Sequence, residues 1–111
     1  MAEVMWRDEI DKSIVLSEVD ESAPYEVDQA AIILNKETGK FGFIQASGCS
    51  CWDGDGEVEY FDDLDKLDEY ISKGIDEEKD SSTYYISING CKQLIAEAKD
   101  KFRQLALKAF D

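Results

Sequence analysis

A chain of 111 residues suits one domain spanning residues 1–111, because that length builds a single hydrophobic core and leaves too little for a second. Apolar residues make up 43%, with five Tyr, five Phe and two Trp, which is enough to offset chain entropy and argues against disorder in a chain that is 34% charged. The net charge of −14, from 26 acidic and 12 basic side chains, repels nucleic acid and anionic membranes, and the lack of any histidine excludes imidazole as base, acid or metal ligand.

Along the chain, the first thirteen residues place Val4, Met5, Trp6 and Ile10 on one side of a short helix or a packed arm. Ser13 to Val19, with the β-branched pair Ile14 and Val15, reads as a strand, and the following turn holds the only proline, Pro24. Val27 to Leu34 and Lys40 to Ser47 then form a hairpin across Asn35-Lys36-Glu37-Thr38-Gly39, with Gly39 supplying the positive φ of the turn. Ala31 and Ile33 alternate with Ala30, Ile32 and Leu34, so the first of these strands is expected to be central and covered on both faces. A third meander strand is expected over Glu57 to Phe61, with Val58 and Tyr60 on one side.

From Asp62 the period changes to about 3.6, with Phe61, Leu64, Leu67, Tyr70 and Ile71 on one stripe. Asp62 is expected to cap that helix and Gly74 to end it, before a polar loop from Asp76 to Ser82. Tyr84 to Ile88 suits either a strand or an early helical turn. The last and longest helix carries Cys91, Leu94, Ile95, Ala98, Phe102, Leu105 and Ala109 at spacings of three and four, with Asn89 as its cap. The fold class expected is α+β: an antiparallel three- to four-stranded meander packed by a short acidic helix and a long C-terminal amphipathic helix.

Three features are candidates for chemistry. Cys49 and Cys51 lie two apart in Gly48-Cys49-Ser50-Cys51-Trp52, so in an extended segment both thiols share a face and can grip one metal or pair on oxidation. Cys91, near a helix N-terminus where the dipole lowers a thiol pKa, is a third donor, and Asp53, Asp55 or water a fourth. Against this stands the plain reading of small packing residues at a bend, with no cofactor and no catalytic residue. The odd cysteine count, the absence of a signal-peptide pattern and apolar runs of only about five residues point to reduced thiols, the cytoplasm and no membrane span. The loop from Asp53 to Glu57 resembles an oxygen-rich cation loop but departs from an EF-hand at Val58 and Leu64.

The third feature is charge itself. Asp53 to Asp80 holds 13 acids and 3 bases, whereas Cys91 to Phe110 holds 5 bases and 2 acids. Asp53, Asp55, Glu57, Glu59, Asp62, Asp65, Asp68 and Glu69 are therefore the expected partner-binding residues, forming one negative surface. Such carboxylates can imitate duplex phosphates and occupy the basic channel of a nucleic-acid enzyme; the alternative is a solvated face that favours solubility. The basic tail helix of one copy meeting the acidic region of another would make a homodimer.

Ala31-Ile32-Ile33-Leu34, Glu37-Thr38-Gly39-Lys40-Phe41, Ala46-Ser47-Gly48-Cys49-Ser50-Cys51 and Asp63-Leu64-Asp65-Lys66-Leu67 together resemble a group of small bacteriophage proteins with a strand-turn-strand-Gly-Cys-Ser-Cys signature. The resemblance runs from about Ala30 to Tyr70. It departs after the second cysteine, where Trp52-Asp53-Gly54 stands in place of a Pro-Phe pair. It implies a phage or prophage origin and the cytoplasm of a bacterial host. The charge concentration and the absence of a catalytic constellation add the leading expectation, a non-enzymatic accessory protein that binds a host protein, as an inhibitor using its acidic surface. A metal-binding or thiol-redox module and a self-associating structural domain are the competing expectations.

Overall fold

A computed structural model describes residues 2–49, 52–77 and 84–109. Its elements are β1 (Ala2–Met5), α1 (Trp6–Asp11), β2 (Ser13–Asp20), β3 (Glu26–Asn35), β4 (Phe41–Cys49), β5 (Asp55–Phe61), α2 (Leu64–Glu77) and α3 (Ile88–Ala109). The five strands form one antiparallel sheet in the order β1-β5-β4-β3-β2. From β2 to β5 this is the expected meander, and the class is α+β. The strand count is five rather than three to four because β1 adds to the edge of β5, with Ala2 opposite Val58 and Met5 opposite Asp55. Four residues whose partners lie fifty or more positions away carry no local periodicity, which is why the expectation there is a helix or packed arm; only Trp6–Asp11 is helical.

The sheet separates two apolar clusters. On one face Ala30, Ile32, Phe43, Leu67, Ile71 and Leu94 belong to the larger cluster under α2 and α3. On the other, Ala31, Ile33, Ile44 and Val58 pack with Val4, Trp6, Ile10 and Tyr60 beneath α1. The alternation along β3 is therefore realised as expected, with helices on both sides of a central strand. After β1 at one edge, α1 carries the chain over this second face to β2 at the opposite edge. The hairpin turn is closed by Asn35, whose Oδ1 accepts from the Glu37 and Thr38 amides at 2.8 and 3.2 Å, and Gly39 has φ +72°.

Helix boundaries differ from the expected ones for identifiable reasons. The α2 N-terminus is capped by Asp63, whose Oδ1 accepts from the Lys66 amide at 2.8 Å, while Asp62 faces the ammonium groups of Lys66 and Lys40. The helix continues past Gly74 to Glu77: that glycine is a contact residue, where a Cβ would overlap the Tyr84 hydroxyl. The remainder of the expected loop, from position 78, lies outside the described residues. Tyr84, Tyr85 and Ile86 form bends, neither strand nor helix, and the buried Gln45 Oε1 accepts the Tyr85 amide at 2.9 Å. Ser87, not Asn89, caps α3 by accepting from the Gly90 amide at 3.0 Å. Glu21 clamps this same turn, receiving the Ser87 amide and hydroxyl at 2.7 and 2.6 Å. Among the described residues no helix is long and apolar enough to cross a membrane.

Candidate functional site

Among the described residues the thiols do not come together. Cys91 is buried in the first turns of α3 within the larger core, and burial, then the Glu21 carboxylate, push its pKa up to about 11. The expected lowering by the helix dipole is overturned, because removal from water and a nearby negative charge both oppose the thiolate. Cys49 is exposed at the end of β4, opposite Glu26, and Cys51 lies outside the described residues. Among the described residues no three of His, Cys, Asp or Glu come together to hold a metal, so Cys49, Cys91, Asp53 and Asp55 form no joint donor set.

The acidic residues divide by face and by partner. Val58 and Tyr60 turn toward α1, so Asp55, Glu57 and Glu59, at alternate positions, turn toward the α2 and α3 side. Glu3 of β1 is the register partner of Glu57 and shares that face. Two phenols border the row. Tyr85 donates from its hydroxyl to Glu57 Oε2 at 3.2 Å, and its pKa is raised by burial and by the Glu57 and Asp55 carboxylates. Burial followed by the fields of Glu59 and Glu57 raises that of Tyr70. Along α2, Asp68 is ion-paired with Lys99 and Asp62 with Lys40 and Lys66, while Asp65 and Glu69 are exposed. Asp53 lies elsewhere, at a cleft on the α1 face. The expected continuous surface is thus a concentrated margin on β1 and β5, a partly neutralised helix, and one outlying aspartate.

Two clefts flank this arrangement. Between α2 and α3 a space of about 500 Å³ has Phe41, Leu64 and Phe102 as its floor, Asp65 on one wall and Lys99 and Arg103 on the other. Phe102 stands edge-on to Phe41 at 5.2 Å between ring centroids. On the α1 face a cleft of about 440 Å³ is lined by Met5, Trp6, Gln29, Trp52, Asp53 and Gly54. Of the segment carrying the Cys-Ser-Cys signature, Trp52 lines this cleft, whereas Cys49 lines a smaller one of about 320 Å³ with Glu26, Asp28, Ser47 and Gly48. The Trp52 Nε1 donates to the Asp55 carbonyl at 2.8 Å, and the indole rests on Gly48, where a Cβ would come within 2.9 Å of Cδ1. That Trp6 and Trp52 line one cleft was not legible in the sequence, because 46 positions separate them.

A polar cluster lies beside the same face. Glu9, only 7% exposed, accepts from the Tyr60 hydroxyl at 2.6 Å and pairs with Lys12 at 2.9 Å. Burial raises its pKa, but the Tyr60 and Lys12 hydrogen bonds together outweigh that and hold the carboxyl below its usual range. This cluster pins α1 to the sheet and opens onto none of the clefts described above. Compared with protein-family models, curated proteins and solved structures, the chain matches none.

Proposed function

We propose that the protein acts without catalysis, by binding a basic partner protein through the acidic margin of β1 and β5. The observation that supports this reading is the placement of Glu3 directly opposite Glu57, with Asp55 and Glu59 on the same face. Like charges directly opposed in a sheet are destabilising, so a free-standing fold gains nothing from them, whereas a cationic surface laid across the margin is attracted by all four. Tyr85 beside the row supplies an exposed aromatic of the kind that anchors interfaces. The resemblance to phage proteins gives the reading its biological form: an accessory protein in the host cytoplasm whose partner is a host protein, inhibited where the carboxylates occupy a nucleic-acid channel.

Capture from bacterial lysate on the immobilised chain is the test. The expected result is a basic protein released as salt rises from about 0.05 to 0.5 M, over which screening shortens to a few ångströms, and recovered in much lower yield on a Glu57→Gln/Glu59→Gln variant. Retention that ignores salt, or equal recovery on the variant, overturns the reading.

A further inference from the structure

The cleft on the α1 face plays no part in the acidic margin, which points from the opposite side of the sheet. Both of the chain's tryptophans line it, and both are half-buried, Trp6 with part of its side chain against the cluster of Ala31, Ile33, Ile44 and Val58. Each is held in place from outside the cleft's interior. Trp52 is fixed by its hydrogen bond to the Asp55 carbonyl and by its seat on Gly48; the Trp6 backbone is fixed by its amide donating to the Gly54 carbonyl at 2.8 Å, and its indole by packing against the Ala31 and Ile33 cluster. Such rigid aromatic surfaces lose little freedom when a ligand docks.

The polar groups around the two indoles are of mixed kind and uncommitted. Arg7 and Asp8 join Gln29 and Asp53 at the lining, and among the described residues none of these four side chains has a hydrogen-bond or ion-pair partner within the chain; nor has the Trp6 indole N–H. Donors are thus the guanidinium, the indole N–H and the Gln29 amide; acceptors are two carboxylates and the Gln29 carbonyl. An anionic ligand meets Asp8, Asp53 and a chain of net charge −14. A cationic ligand meets Arg7 and leaves the donors without acceptors. A purely apolar ligand engages the indoles alone and uses none of these polar groups. What satisfies the whole set is a neutral molecule with one apolar face and many groups that each donate and accept.

We infer that this cleft is a binding site for a neutral saccharide, its C–H face lying on the indoles and its hydroxyls shared among Gln29, Asp53, Asp8 and Arg7. Hydroxyl groups are both donor and acceptor, which matches the mixed lining, and the volume of about 440 Å³ is that of a small-molecule site. The site is separate from the partner-binding margin and does not depend on it.

Because both tryptophans border the cleft, intrinsic fluorescence reports occupancy directly. Titration of the whole chain with neutral mono- and disaccharides of the gluco, galacto, manno and N-acetyl series is expected to give a saturable change with at least one of them. Choline and glucose 6-phosphate, the cationic and anionic probes, are expected to give none. Gln29→Ala and Asp53→Asn are each expected to weaken saccharide binding by roughly fivefold or more, the loss of about one hydrogen bond, with the thermal midpoint unchanged, while Glu57→Gln/Glu59→Gln leaves the titration as it was. The inference is overturned if no saccharide saturates, if choline or the phosphate ester saturates instead, or if both cleft variants bind as the parent does.

Discussion

Glu9 and Tyr60 illustrate how a buried carboxylate is made tolerable in a chain this acidic. The carboxylate receives the phenol at 2.6 Å and the Lys12 ammonium at 2.9 Å, and Asn35 Nδ2 reaches the same phenol oxygen at 3.4 Å. Gly42 makes room for the ring: a Cβ there would lie 2.8 Å from Tyr60 Cε1. Hydrogen bonds to a charged group contribute roughly 1.5–3 kcal/mol, so Tyr60→Phe is expected to lower stability by about that amount in chemical denaturation. The pH dependence has a definite sign. A carboxyl whose folded pKa lies below its unfolded value of 4.5 contributes stability that is present above that pH and lost as pH falls through the folded value. Tyr60→Phe removes the largest single lowering interaction, so the acid limb of the stability curve is expected to become shallower. An unchanged acid limb with an unchanged midpoint would show that Lys12 alone holds the charge.

At the scale of elements, Gly74 separates two effects that usually travel together. Gly in an exposed helix interior is disfavoured relative to Ala by about 1 kcal/mol, and on propensity alone Gly74→Ala stabilises α2. Here the added methyl meets the Tyr84 hydroxyl, which is tied to the Tyr70 carbonyl at 3.0 Å and cannot move without breaking that bond. Overpacking of this kind costs about 1–3 kcal/mol, so the steric effect wins and Gly74→Ala is expected to lower the thermal midpoint. Gly74→Ala combined with Tyr84→Phe, which frees the hydroxyl's space, is expected to recover part of the loss. This position also shows where sequence reading stops. The stripe Leu64, Leu67, Ile71 was legible because a 3.6 period is local, and the β3 and β4 hairpin was legible because its turn chemistry is local. Gly74 as a stop signal was misread because its real reason, an aromatic from a segment ten residues on, is tertiary. The caps lie one and two residues from the expected ones, and the contacts at them are partly non-local: Asp62 faces Lys40 while Asp63 caps α2, and Ser87, the cap of α3, is held by Glu21. Nor could any pattern in the chain bring Trp6 to Trp52, or β1 to β5, since both depend on α1 crossing the sheet.

For the whole molecule, the charge of −14 is distributed in a way that sets stability against association. The helices neutralise part of their acids internally, through Asp62 with Lys40 and Lys66 and through Asp68 with Lys99, whereas the β1 and β5 margin sets Glu3 against Glu57. A fold optimised for stability alone would place opposite charges at that pair. Glu3→Lys creates that arrangement, and an opposite-charge cross-strand pair contributes roughly 0.2–1 kcal/mol while removing a repulsion of similar size. The expected outcome is a protein more stable to denaturant at low salt, the gain shrinking as salt is added. The same substitution reverses one charge of the margin, so capture of a basic partner is expected to weaken. The two readouts together are diagnostic: greater stability with weaker capture marks the like-charged pair as a functional feature held against the fold's own preference, and greater stability with undiminished capture assigns it to neither.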